Sequence, residues 1–267
     1  MNSGENIKMN VTIESLDQYV EFIQALDKSY ALSRGQEYDK PLLPSVMRQD
    51  ENGMRLFSNA SAKEFIDEFK NNSVLYLDNN FSRIENDYEW IILAQHFGVP
   101  TCLLDFTYSH LVSLMFAVEN AFSYDEEDGK ESVVWFLNTN KLNLLSINRN
   151  VILNLSEESG GVMDAAKYPC VVTARKNNSR VAAQNGLFVF FQKEDKALDE
   201  LGLEKSILIR VNIPHRCAKR ILASLYTMGM RFKDIYPELT SVSKDILLKH
   251  NVMEFYKMEA EDEYRTI

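Results

Sequence analysis

The sequence predicts an α+β fold, with one mixed β-sheet flanked by helices in a single compact domain spanning residues 1–267. Three patterns lead there. Ile207, Ile209, Val211 and Ile213 alternate as a half-buried strand does, while 132–137 and 187–191 are unbroken apolar runs of strand length. Around them, apolar residues recur at helical spacing, as in Leu111, Leu114, Met115 and Val118. The strand and helix patterns are interleaved with no internal repeat and no low-complexity linker. A chain of 267 residues with 45% hydrophobic content is enough for one substantial core.

Taken in order, Ser15-x-x-Gln18 is a capping box, and Tyr19, Phe22, Ile23 and Leu26 behind it predict a helix over about 16–27. Residues 30–33 read as a short strand ending at Arg34-Gly35-Gln36. Pro41, Pro44, Asn52 and Gly53 mark a loop with one short helix around Val46. Ser61-x-x-Glu64 is a second capping box, followed by Phe65, Ile66 and Phe69. The next helix begins near Asp87, with Trp90, Leu93, Ala94 and Phe97 as its apolar stripe. Gly98 suits the left-handed position that closes a helix, and Pro100 prevents continuation. Residues 102–104 form a buried extended run. Ser109 caps a helix over 110–122, an acidic loop follows at 125–129, and 132–137 is a central strand. Residues 154–168, with Ser156, Glu157, Glu158, Ser159, Gly160 and Gly161, read as a mobile loop. After the strands at 187–191 and 207–213 come a helix behind Pro214, a turn at Gly229, a helix over about 239–249, and an acidic tail with Glu259, Glu261, Asp262 and Glu263.

The formal net charge of −10 argues against general attraction to nucleic acid or to anionic membranes. No run of eighteen apolar residues predicts a membrane span, and residues 1–8 lack the apolar core of a secretory signal. Cys102, Cys170 and Cys217 are scattered and odd in number, which fits the reducing cytoplasm, and no Cys or His pair has zinc-ligand spacing. The basic group Arg216, Lys219, Arg220, Arg231 and Lys233 is either a solvated helix face or a local anion patch.

Residues 93–107 concentrate Gln95, His96, Thr101, Asp105 and Thr107 around a Gly-x-Pro break between apolar segments. Polar groups held near a core need partners or a ligand, so this stretch is expected to form one wall of a pocket. Arg34 can grip a phosphate through parallel hydrogen bonds, Gly35 permits close backbone approach, and Gln36 can bond a ribose or an amide. The plain alternative is a turn with an exposed arginine. His96, beside the apolar stripe, is an acid–base group, a ligand donor or a structural histidine. Asp105 follows two leucines and is expected to be partly buried, paired with Arg34 or Arg48, capping a helix, or orienting His96. Thr107, Tyr108 and Ser109 offer hydroxyls at a helix start, where an anion is favoured, although Ser109 also suits plain capping. Arg180 and Gln184 precede an aromatic strand. The hydrolase Gly-x-Ser-x-Gly, the P-loop, the dinucleotide Gly-x-Gly-x-x-Gly and His-Glu-x-x-His are all absent.

These residues resemble the FRG domain, named for a Phe-Arg-Gly motif. Here that motif stands as Ser33-Arg34-Gly35-Gln36, followed by Leu43-Pro44-Ser45-Val46-Met47-Arg48. The most specific likeness is Ala94-Gln95-His96-Phe97-Gly98-Val99-Pro100-Thr101 with Leu103-Leu104-Asp105-Phe106-Thr107, extended by Leu111-Val112 and Phe116-Ala117. Arg180 with Gln184-Asn185-Gly186-Leu187-Phe188, and Gly229 with Tyr236-Pro237-Glu238-Leu239, resemble later family segments, so the likeness runs over about 30–240. Three residues depart from it: Ser33 stands for an aromatic, Cys102 for an arginine and Phe106 for a tryptophan. The loss of arginine at 102 removes any anion contact the family makes there, and the other two changes are expected to alter packing.

The resemblance implies a bacterial or phage-related cytoplasmic protein, often found near defence systems. A looser likeness is to the Arg-Ser-Glu ADP-ribosyltransferases. On that analogy Arg34, Gly35 and Gln36, with Thr107 and Ser109, hold NAD, while Arg34, His96, Asp105 and Gln184 carry the chemistry and no metal is needed. At the position of the transferase glutamate the chain offers Gln184, an amide that supplies no negative charge to a cationic sugar, and Glu194 lies farther on. Three readings follow. One is a defence effector that uses NAD, by ADP-ribosyl transfer to a macromolecular acceptor or by NAD cleavage. The second is a non-catalytic binding module with a protein partner, suggested by Met228, Met230, Met253 and Met258. The third is a nuclease using His96 and Asp105.

Overall fold

The computed structural model describes residues 10–58, 60–77, 84–157, 161, 166–175, 186–192, 196–201 and 206–265. The strands are β1 (Asn10–Thr12), β2 (Leu32–Gln36), β3 (Leu103–Thr107), β4 (Glu131–Leu137), β5 (Leu153–Asn154), β6 (Cys170–Thr173), β7 (Gly186–Phe190) and β8 (Leu208–Pro214). The helices are α1 (Leu16–Ala25), α2 (Ser61–Ser73), α3 (Asp87–His96), α4 (His110–Val118), α5 (Thr139–Ile147), α6 (His215–Thr227), α7 (Phe232–Ile235) and α8 (Leu239–Arg265).

The expected mixed sheet is present, in the order β1-β8-β4-β2-β3-β7-β6-β5. Its two outermost pairs, β1 with β8 and β5 with β6, are parallel, and the pairs between them are antiparallel. Side chains alternate across it as the pleat requires. Val134 and Phe136 of β4, with Ile209, Val211 and Ile213 of β8, face a core covered by α1, α4, α6 and α8. Val133, Trp135, Leu104, Phe106, Leu187 and Val189 face the other way, under Leu42, Leu43, Val46 and Met47. Leu103, Phe188 and Phe190 pack against Ile92 of α3.

Several boundaries differ from expectation. Ser15 does cap α1 through Gln18 N–H, but the helix ends at Ala25. Ser61 opens α2 without capping it, since the cap position is Ala60 and the Ser61 hydroxyl meets that of Ser58. The unforeseen cap is at α3: Asn86 accepts from Glu89 N–H, and Glu89 accepts from Glu85 N–H at 2.7 Å. Its buried face is Glu89, Ile92, Leu93 and Ala94, so Phe97, expected in the stripe, is exposed. Gly98 takes its left-handed conformation (φ +85°). Helix α4 stops at Val118 and gives way to a 3₁₀ turn at Ala121–Ser123. Of the loop expected at 154–168, Asn154 belongs to β5 and residues 158–160 and 162–165 lie outside the described residues, while strand β6 and helix α5 carry no expectation from the sequence. The acidic tail is helical, because α8 continues through Arg265, with Leu248 and Val252 buried and Glu259 paired with Arg220. Among the described residues no helix is long and apolar enough to cross a membrane.

The basic group on α6 is neutralised by its neighbours. Arg216 pairs with Glu14, Lys219 with Glu126 and Arg220 with Glu259, while Arg231 lies over the Tyr226 ring. It is a paired helix face.

Candidate functional site

The sheet parts between its two middle strands. β2 pairs with β4 over five residues and β3 with β7 over five, but β2 and β3 meet in register only at Ser33 and Thr107. Beyond that point the strands diverge, leaving main-chain groups of β3 without a ladder partner. Arg34 supplies one: its Nη1 donates to the Asp105 carbonyl at 2.8 Å. The guanidinium thus stands where a strand N–H would have stood.

The divergence opens a cleft of about 870 Å³. Arg34, Gln36, His96 and Asp105, expected to share a pocket, all line it, with Arg48, Gln95 and Tyr236 beside them. Each element has a local reason to be there. α3 ends at His96, with Gly98 in the left-handed conformation just beyond its cap, and the last turn of the helix brings Gln95 and His96 into the cleft wall. Ser45 accepts from Thr101 N–H at 3.0 Å, and Val46 N–H donates to Thr101 O at 3.2 Å, tying the 41–49 loop to the strand entry. Thr101 in turn donates through its hydroxyl to Gln95 Oε1, and Gln95 Nε2 donates to Asp105 Oδ1 at 2.7 Å. A relay of polar side chains therefore links Thr101, Gln95, Asp105 and Arg34.

Asp105 is not partly buried as expected. Its side chain is 60% exposed and stands 3.9 Å from Arg34 Nη1. The leucines before it face opposite sides of the sheet, and the parted strands leave Asp105 toward the cleft. Arg34 is only 17% exposed. Burial is the main influence on its guanidinium and lowers its pKa; Asp105 opposes that shift and the nearby positive Arg48 adds to it. Its Nε is buried with no hydrogen-bond partner among the described residues.

Gln36 Oε1 accepts from Trp135 Nε1 at 3.1 Å. An indole only donates, so this fixes which end of the amide faces Trp135 and leaves its N–H₂ to donate elsewhere. Gly35 lines the cleft, and it also has a packing role. A Cβ there would fall 1.8 Å from Ser113 O, so α4 makes a close backbone approach to it. Thr107 is buried and lines a second cavity of about 40 Å³ that it shares with Arg34 and Asp105. Ser109 stands at the N-cap position of α4, but its side chain makes no capping hydrogen bond; its N–H donates to Thr107 Oγ1 at 2.9 Å, and it lines neither cavity. Arg180, Gln184 and Glu194 lie outside the described residues.

The three departures noted in the sequence behave differently. Phe106 is a core residue. Cys102 packs into the core, where burial pushes its thiol up to about 12, so it offers no anion contact. Ser33 alters more than packing: its hydroxyl bonds His110 Nδ1 and Ser113 Oγ, each at 2.8 Å, in a buried polar cluster. Burial lowers the His110 pKa. Among the described residues no three His, Cys, Asp or Glu side chains gather as metal ligands.

Sequence reasoning places Gln95 in the expected pocket wall and offers Arg48 as a partner for Asp105, but gives neither a role in the site, and it does not single out Tyr236 as a cleft residue. Gln95 lies in the polar segment at 93–107, and its place on the last turn of α3, ahead of Pro-Thr, is the signal for it. Arg48 and Tyr236 arrive through long-range contacts that carry no local sign.

Residues 29–126 match the family model of the FRG domain. That stretch, 98 of the 267 residues, is similar to the FRG domain. The matched stretch runs from just before β2 past the end of α4, so it supplies both walls of the parted sheet, while Phe188 and Tyr236 close the FRG cleft from outside it. No curated protein and no solved structure matches the chain.

Proposed function

We propose that the FRG cleft binds NAD and that the protein cleaves it, transferring ADP-ribose to a macromolecular acceptor or to water. One observation carries this reading: the Arg34 guanidinium is buried at the cleft wall with Nε unpartnered among the described residues. A buried charged donor left unsatisfied costs on the order of 1–3 kcal/mol or more, which an anionic ligand would recover. The surroundings suit a dinucleotide. Arg48 adds a second positive charge for a pyrophosphate, Gln36 presents amide donors, and Ile92, Phe116 and Phe188 offer apolar walls. A volume of about 870 Å³ lies in the range of nucleotide-sized pockets.

The order of elements also supports the transferase analogy. Ser33 of β2, Thr107 of β3 and Gly186 of β7 stand in register across three adjacent strands, so the arginine, hydroxyl and late segments meet at one end of the sheet. In this reading Asp105 supplies the negative charge that Gln184 lacks. Its carboxylate, held by Gln95 beside Arg34, stabilises the cationic ribose as the bond to nicotinamide breaks. His96 at the rim bonds the ligand or moves a proton. The setting is the cytoplasm, where Cys102, Cys170 and Cys217 remain free thiols, and the role is that of an effector in bacterial defence against phage.

Incubating the purified protein with NAD, with and without cell lysate, and measuring free nicotinamide tests the chemistry. Release by the wild type is expected to vanish in Arg34→Ala and to fall at least tenfold in Asp105→Asn. No release under either condition from folded protein contradicts it. That result favours the second reading, a binding module, to which the exposed Met228, Met253 and Met258 belong.

A further inference from the structure

Trp135 stands behind the cleft wall rather than in it. It is 5% exposed, packs in the core and is not among the residues that line the cleft. Its place on β4 is directly opposite Arg34 of β2, which sets the two Cβ atoms about 5 Å apart. Gln36, two residues beyond Arg34, shares that face of β2, and its Oε1 accepts from Trp135 Nε1 at 3.1 Å. The indole is therefore beside both polar side chains that β2 gives to the cleft. On its other flank stands Arg210 of β8, in register with it, with the guanidinium carbon 5.8 Å from the ring centroid. That guanidinium is itself tied, since Nε donates to Asn212 Oδ1 at 2.7 Å and Nη2 meets Asp39 Oδ2 at 3.0 Å.

The chemistry of the pair decides what Gln36 can read. A side-chain amide carries one acceptor and two donors, and an amide free to turn over serves either kind of ligand group. The indole N–H takes the carbonyl end. Gln36 Nε2 has no hydrogen-bond partner among the described residues, so what Gln36 keeps for a ligand in the cleft is donors alone.

We propose that Trp135 is a positioning residue for ligand selection. By holding the Gln36 carbonyl it makes Gln36 an obligate donor, so the cleft selects a ligand that carries an acceptor oxygen near the anion held by Arg34. The identity of the ligand rests on the NAD reading, in which that oxygen belongs to a ribose or to the carboxamide; the fixing of the amide does not. Trp135 acts through Gln36, so its contribution to binding exists only while Gln36 is present.

Two measurements on the full chain test it. Without ligand, the two tryptophans, Trp90 and Trp135, give two indole N–H signals in a proton–nitrogen correlation spectrum, and the one missing from Trp135→Phe belongs to Trp135. Gln36→Ala is expected to move that signal upfield and speed its hydrogen exchange, and to leave the Trp90 signal in place. An unmoved Trp135 signal overturns the proposal. With NAD, isothermal titration is expected to show about fivefold weaker binding in folded Trp135→Phe and in Gln36→Ala, and no further loss in the double variant. A double variant that loses the product of the two single effects, or a Trp135→Phe protein that binds as the wild type does, overturns it. The same loss with ADP-ribose assigns the oxygen to a ribose, and a loss with NAD alone assigns it to the carboxamide. A wild type that binds no NAD, while its indole signal answers Gln36→Ala, overturns the NAD reading and upholds the positioning.

Discussion

Arg34 performs two tasks with different atoms of one guanidinium. Nη1 repairs the parted sheet at the Asp105 carbonyl, and Nε is left for a ligand. Its neighbour Ser33 points to the opposite face, into the cluster with His110 and Ser113. His110 there has a pKa held below its ordinary value of 6.5 by burial. The sign follows directly. Above pH 6.5 the ring is neutral both folded and unfolded, and its environment carries no pH dependence. As pH falls below that value the unfolded chain takes up the proton first, so stability is lost until the folded ring also titrates. Urea midpoints are therefore expected to fall between pH 7 and pH 5, and to fall less in His110→Gln. A midpoint equally pH-dependent in the variant contradicts this role. The sequence signals the polar residues of this region by their crowding beside apolar runs, yet it misplaces Asp105. Two leucines before a carboxylate suggest burial only if the strand is paired on both sides, and the parting of β2 from β3 is a long-range event with no local mark.

At the scale of elements, Gly35 sets how closely α4 lies on β2. The helix backbone occupies the space of a side chain, with Ser113 O 1.8 Å and Ala117 N 2.8 Å from where a Cβ would stand. Backbone cannot swing aside as a flexible side chain can. Gly35→Ala is expected to cost about 3 kcal/mol or more, read from urea denaturation, against less than about 1 kcal/mol for alanine at exposed Gly161. A Gly35→Ala protein of wild-type stability would contradict the packing. Elements with strong local codes are legible in the amino-acid sequence: β4, β7 and β8 by apolar pattern, the end of α3 by Gly98 and Pro100, the cap of α1 by Ser15. The two-residue β5 and four-residue β6 are not, because strands that short are held by partners distant in sequence. The acidic end of α8 reads as a tail because composition shows the charges and not Arg220 waiting for Glu259. Likewise the glycine of Arg-Gly-Gln announces a close approach, and only the fold reveals that a helix makes it.

At the scale of the molecule, the sheet pairs β1 at residues 10–12 with β8 at 208–214, and one core draws on Ile13, Val134, Ile221 and Val252. We propose that the chain is one folding unit, so calorimetric unfolding is expected to give a single transition with matching calorimetric and van't Hoff enthalpies. Two resolved transitions would contradict it. The cleft lining is mixed in charge, with Arg34, Lys40 and Arg48 set among Glu37, Asp50, Glu51, Asp105 and Glu119, and Arg34 and Arg48 form its cationic wall. The central claim is that this wall holds the phosphates of NAD. Isothermal titration of NAD into the wild type and into Arg34→Gln, both checked for folding, tests it most directly. We expect one site per chain in the wild type and at least tenfold weaker binding in the variant. No binding to the wild type at millimolar NAD, or equal affinity in the two proteins, would contradict it.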